Sequence, residues 1–227
     1  MVDVQAQLMA VQRDVQTTEM GEDATRVQKL AQEYPSPLAD VWEAVTTPDR
    51  IRRWFLPVSG DLRLGGTYQL EGHAGGQILE CEPPEGASAR YRVTWAYGGG
   101  ADTWLTVRLT ATGSERTRLE LEHVARVVDV PAELWAQYGP AATGIGWDSM
   151  LLGLALHLSA DGSAVNPEEA AAWMAGEEGR EFAQGSGDAW AAAHVADGAD
   201  ADTAARAAAA TVSLYTQPPE VPTDTAG

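Results

Sequence analysis

Hydrophobic and polar positions alternate with period two in the last part of residues 58–124, and recur at spacings of three and four on either side of it. The first pattern predicts half-buried strands and the second amphipathic helices. Strands are expected near 58–64, 66–72, 75–83, 89–97, 102–112 and 115–124, separated by Gly- and Pro-rich breaks that suit hairpins. Alternation places Tyr91, Val93 and Trp95 on one face, with Arg92 and Thr94 opposite. Leu105, Val107 and Leu109 follow the same rule, as do Leu119, Leu121 and His123. An antiparallel sheet, wet on one face and apolar on the other, accounts for this.

Before the strands, Val4, Leu8 and Val11 predict a short helix, and VQTTEM (15–20) and ATRVQKLAQEY (24–34) read as extended. The second run alternates poorly, as it would across a bulge. The stretch PSPLADVWEAVTTPDRIRRWF (35–55) then carries two helix starts. Ser36 precedes Pro37, Thr47 precedes Pro48, and the apolar stripes are Leu38, Val41, Trp42, Val45 and Ile51, Trp54, Phe55. Helices of two turns do not stand alone, so the pair must lie on the sheet.

After the strands, PAELWAQY reads as a short helix and Pro140 opens a long one running to about Ser159. Trp147, Leu151, Leu154 and Leu158 form one stripe of it, available to the sheet. Ile145, Leu152 and Leu156 form a second, which needs a cover: either the chain's own residues 161–216 or a second copy of the protein. Gly144, Gly146 and Gly153 weaken this helix by ~1 kcal/mol each relative to Ala, a cost that makes sense if another backbone comes close. Asn166 reads as the cap of a further helix opened by Pro167; short helices follow to about 216, and residues 217–227 read as disordered.

The order of these elements resembles the helix-grip fold of the START-like (SRPBCC) superfamily, an α+β architecture in which a curved antiparallel sheet wraps a long C-terminal helix. Within it the chain is most similar to the family named after the activator of heat-shock protein 90 ATPase. The residues that carry the resemblance are YPSPLADVWEAVTTPDRIRRWFLP, GDLRLGGTYQLEG, GGQILECEPP, YRVTW, LELEH and GWDSMLLGLALHL, in that order across roughly 25–158. The resemblance implies a cavity between sheet and long helix; the N-terminal segment and the residues beyond 160 lie outside the common domain, and the chain reads as a domain over 1–160 with a helical extension over 161–216 packing on it. Relatives of that superfamily include lipid carriers, hormone receptors, polyketide aromatases and cyclases, and co-chaperones, so the fold alone does not select a function.

Candidate lining residues are Trp54, Phe55, Tyr68, Leu70, Tyr91, Val93, Trp95, Leu105, Val107, Leu121, His123, Trp147, Leu151 and Leu154. Their aromatic content suits a flat apolar ligand. His123 is the one titratable side chain that parity turns inward, and is the candidate acid or base if the protein is an aromatase- or cyclase-type enzyme. A co-chaperone-like interaction domain is the third reading. Glu80 reads as a cross-strand ion-pair residue, and Arg50, Arg52 and Arg53 as a solvated helix face. No histidine pair has metal-ligand spacing, and no phosphate loop, nucleophile elbow or cofactor motif is present.

Composition narrows the partners. The formal net charge is −18, and residues 161–227, with 12 acidic and 2 basic side chains, are the more acidic part. Such a surface repels nucleic acid and anionic lipid. The N-terminus lacks the apolar core of a signal peptide, and MLLGLALHL falls well short of a membrane span. Cys81, the single cysteine, favours a reducing compartment. The expectation is a cytoplasmic monomer, or a homodimer through the C-terminal helix, that binds a small apolar molecule.

Overall fold

A computed structural model of the chain describes residues 3–20, 23–159 and 167–217. The expected cap at Asn166 and the tail beyond residue 217 lie outside them. Helix α1 (Val4–Ala10) leads into the hairpin of β1 (Gln12–Met20) and β2 (Asp23–Tyr34). Helices α2 (Leu38–Thr46) and α3 (Pro48–Ile51) follow. Then come β3 (Val58–Gly60), β4 (Thr67–Leu70), β5 (Gly75–Glu85), β6 (Ser88–Trp95), β7 (Thr103–Gly113) and β8 (Arg116–Arg126). A 3-10 turn (Val127–Asp129) and α4 (Ala132–Tyr138) lead to the long α5 (Ala141–Leu158). Helices α6 (Pro167–Ala175), α7 (Glu177–Ala196) and α8 (Ala201–Thr216) complete the described chain.

The strands form one eight-stranded sheet in the order β1-β2-β8-β7-β6-β5-β4-β3, with every pair antiparallel. Because β2 pairs with β8 while β3 lies at the far edge, the chain must cross the sheet between them. Helices α2 and α3 make that crossing, and α2 touches β5, β6, β7 and β8. Leu38, Val41, Ala44 and Val45 are its buried face. This is a helix-grip α+β fold.

The strand pattern departs from expectation in three places. Strand β2 keeps an unbroken register with both neighbours, so it holds no bulge. Its alternation is poor because inward positions include Gln28 and Gln32, which are buried and hydrogen-bonded: Gln28 Nε2 donates to Pro140 O at 2.7 Å, and Gln32 exchanges bonds with Gln7. The first two strands after α3 are shorter than predicted. The real bulge lies in β5: Ile78 pairs with Val93 but Glu80 with the next residue, Arg92, leaving Leu79 as the extra one. A second irregularity, between Glu82 and Glu85, absorbs Pro83 and Pro84 near the strand end, where their missing N–H groups break no ladder.

The helix starts also differ. Pro37, not Ser36, is the N-cap of α2 and makes no side-chain cap bond. Ser36 instead donates to Asp40 at 2.5 Å, and Asp40 also accepts from Arg50 Nη1 at 2.9 Å.

Helix α5 is gripped on two sides. Trp147, Leu151 and Leu154 face the sheet and belong to the main core. Tyr34 is buried beside it, and its hydroxyl donates to Leu151 O at 3.2 Å. On the other side Ile145 and Leu152 are buried, covered by Trp190 and Phe182 of α7 and by Val4 of α1, and Leu156 is half-buried against the same group. The glycines show how close these approaches are. A Cβ on Gly144 would sit 2.3 Å from the Trp190 indole, and one on Gly153 would sit 2.4 Å from Trp54 O.

At the centre of this junction Asp148 is fully buried. It accepts from Arg13 Nε at 2.9 and 3.1 Å, from Trp190 Nε1 at 3.0 Å, and from Ser186 Oγ. One carboxylate thereby joins β1, α5 and α7. The free edge of β1 is also engaged: Thr17 donates through both N–H and Oγ1 to Asp197, at 2.9 and 2.8 Å.

Candidate functional site

An apolar space, partly open to solvent, lies between the sheet and the helices. Strands β5 to β8 form its floor, α2 and α3 its roof, α5 one wall, and the segment from Val58 to Leu70 the other. The cavity holds about 130 Å³. An apolar cavity of about 150 Å³ suffices for a benzene ring, whereas one water needs only about 10–15 Å³. The space therefore suits a compact organic ring.

Of the predicted lining residues, Trp54, Phe55, Tyr68, Leu70, Tyr91, Val93, Trp95, Leu105, Val107, Leu121 and Leu154 meet around this cavity. His123, Trp147 and Leu151 do not line it. Trp147 stands outside the lining: its ring lies 5.1 Å from that of Trp95, a lining residue, and 5.4 Å from that of His123. Leu151 is fully buried in the α5–sheet contact.

His123 is thus inward, as parity required, but engaged elsewhere. Thr103 Oγ1 spends its proton on Trp95 O at 2.7 Å, so at 2.8 Å it accepts from His123 Nε2. Burial lowers the imidazole pKa to about 4. His123 is a neutral structural donor at physiological pH, not a group poised for proton transfer.

Several lining residues escape prediction. Ile78 and Cys81 both face the cavity although their numbers differ in parity, because the Leu79 bulge turns the strand between them. Val45, Thr46 and Ile51 come from the helix pair, Val58 and Leu62 from the short β3 region, and Met150 from α5. Leu119 also lines it, in phase with Leu121; its parity was readable in the sequence. Glu80 points away from the cavity and pairs with Arg90 at 2.9 Å and Arg92 at 3.6 Å.

Polar groups are few. Thr46 Oγ1 donates to Trp42 O at 2.6 Å, and Tyr68 Oη to Thr94 O at 2.7 Å. Cys81, exposed, lines the cavity opposite Tyr91 in the strand register. Beyond the lining, Trp147 Nε1 and His73 Nδ1 are buried without hydrogen-bond partners among the described residues, and both rings pack against Trp95. Arg50, at the roof, is tied down rather than solvated: its Nε donates to His157 Nε2 at 2.9 Å. That bond requires the neutral imidazole, and burial together with Arg50 holds the His157 pKa below its ordinary value. Among the described residues no cluster of His, Cys, Asp or Glu can hold a metal ion, and no helix is long and apolar enough to cross a membrane.

A curved antiparallel sheet, a gripping C-terminal helix and a small apolar cavity between them define a protein of the START-like, SRPBCC type. Residues 35–159 match the family described as Activator of Hsp90 ATPase homolog 1-like protein, over more than half of the chain, and the chain belongs to that family. It is similar to CalU16 from Micromonospora echinospora. The crystal structure of CalU16 is 33% identical, covers 81% of this chain and 98% of its own, and has a TM-score of 0.60. The corresponding figures for its solution structure are 30%, 83%, 97% and 0.63. That share of the chain exceeds what residues 1–159 supply, so the likeness reaches into the helices after α5. The Enterococcus faecalis protein EF2215, described as conserved and of unknown function, shares the fold at 11% identity, 79% and 95% coverage, and a TM-score of 0.52. No curated protein matches the chain.

Proposed function

We propose that the protein binds a small apolar, ring-bearing molecule in the cavity between its sheet and α5. One observation carries this reading: about 130 Å³ of space lined by aromatic rings on β4, β6 and the α3 end, with aliphatic side chains around them. Native interiors are close-packed, and voids above the size of a water are few. A guest seated in this partly open pocket would gain dispersion contacts with its apolar wall. The wall chemistry suits hydrophobic transfer and aromatic contact, not charge recognition. His123 lies outside the lining and donates to Thr103, which weighs against its use as the acid or base of an enzyme.

Thermal unfolding in the presence of a panel of one- and two-ring aromatic compounds tests the proposal. A ligand at a hundred times its Kd stabilises by about 2.7 kcal/mol, which for a chain of this size raises Tm by roughly 5–10 °C. The shift should vanish in Val107→Phe, which fills the space from its floor. A panel that leaves Tm unmoved, with native mass spectra showing only the bare chain, overturns the reading.

A further inference from the structure

Of the hydroxyls that line the cavity, that of Tyr91 has no hydrogen-bond partner among the described residues. Tyr91 lies in the middle of β6, between Cys81 on β5 and Val107 on β7, all three lining the space. Trp42 of α2 fixes its ring edge-on, at 6.3 Å between centroids. The other lining hydroxyls, on Thr46 and Tyr68, give their protons to backbone carbonyls. Tyr91 Oη has no hydrogen-bond partner among the described residues and is not sealed off by protein. Burial pushes the Tyr91 phenol up from its ordinary pKa, so it holds its proton throughout the neutral range and is a donor there. A donor without a protein partner on an otherwise apolar wall is a point at which a guest's acceptor oxygen can be held.

We propose that the natural guest is a compact apolar ring compound bearing a carbonyl oxygen, a ketone, aldehyde or quinone, and that Tyr91 Oη donates to that oxygen. The chemistry of the wall selects the carbonyl. The cavity offers one spare proton donor of ordinary strength, and a carbonyl has an acceptor to match it and no proton of its own to place. A guest carboxylate would bring a charge into a site whose lining holds no cation. A pure hydrocarbon would leave the hydroxyl unpaired. Specificity of this kind, one polar contact fixing an otherwise apolar guest, is the usual construction of small-molecule sites. The inference rests on the ligand-binding reading above and adds the functional group.

Acetophenone and α-methylstyrene test it as probes, since they share a shape and differ in C=O against C=CH2. Binding is read by Tm shift and by protection of Cys81, the sole thiol and a lining residue, from iodoacetamide. Wild-type protein should bind acetophenone about tenfold more tightly than α-methylstyrene. Tyr91→Phe, which keeps the ring against Trp42, should erase that preference while binding α-methylstyrene within about twofold of wild type. The free variant should fold with an unchanged or higher Tm, because only an unpaired hydroxyl is lost. If both probes protect Cys81 equally in wild type, the hydroxyl holds a water only and the carbonyl assignment is overturned while the cavity reading stands. The carbonyl assignment falls likewise if Tyr91→Phe retains the preference. If neither probe protects Cys81 or shifts Tm, both readings fall.

Discussion

His123 carries two separable messages at the scale of a single residue. Its inward position follows from the period-two rule in β8. Its neutrality follows from burial beside Trp147. The folded pKa of about 4 lies below the unfolded value of about 6.5, so between those limits the unfolded chain takes up a proton that the folded one refuses. Stability therefore falls as pH falls through that window, by about 2 kcal/mol at pH 5 from this residue alone, and is intact above about 6.5. Burial displaces His73, His157 and His194 in the same direction, so their losses add. Urea unfolding at pH 7, 6 and 5 should show a steady decline, and His123→Asn should flatten it by its share; an unchanged slope in the variant would remove His123 as a cause. What was not legible at this scale was access: strand parity assigns a face and says nothing of which neighbour stands in front. Ile78 and Cys81 show the complementary failure, since one extra residue, Leu79, inverts parity without leaving a mark in the composition of the strand.

Elements were legible where one face met water. The β6, β7 and β8 pattern predicted its sheet because the outward positions carry Arg, Glu and Thr. In β2 the signal was lost because Gln28 and Gln32 sit on the buried side, where hydrogen bonds to the α5 N-terminus and to α1 take the place of hydrophobicity. Helix α5 poses the opposite case: it is apolar on both flanks, which announced a second cover without identifying it. Its glycines are explained by what lies against them, the Trp190 ring at Gly144 and the Trp54 carbonyl at Gly153, rather than by helix propensity. Gly144→Ala should accordingly destabilise the protein by about 1–3 kcal/mol, even though alanine favours an isolated helix by ~1 kcal/mol. Chemical denaturation decides it; a stabilised variant would mean that Trp190 can withdraw at no cost.

For the molecule as a whole, the helices after residue 167 complete the core. Trp190, Ala193 and Ala208 belong to the main hydrophobic cluster, and Phe182 joins Val4 and Leu152 in a second. Asp148 loses two of its three donor residues, Ser186 and Trp190, when they are removed. Ending the chain at Ser159 should therefore yield a product that aggregates or melts at least roughly 10 °C lower, measured by light scattering and calorimetry beside the full chain. A fragment of undiminished Tm would make those helices an accessory. Of the apolar residues that the sequence offers as anchors of this extension, Phe182 and Trp190 are buried, Trp173 and Met174 pack partly buried beside them, and Val195 is exposed; the sequence does not show that Asp148, an ordinary acidic residue on a helix, is the buried point at which the pieces join.

The bond pair from Thr17 to Asp197 has a consequence of its own. An eight-stranded sheet has two rims, and an unguarded rim is a template on which further chains stack. On one rim an aspartate from a neighbouring helix end occupies a main-chain donor that an incoming strand would need; on the other, β3 spans only three residues and offers too short a ledge for growth. A strand arriving from outside would thus meet an occupied donor at Thr17 on one rim and a three-residue ledge on the other.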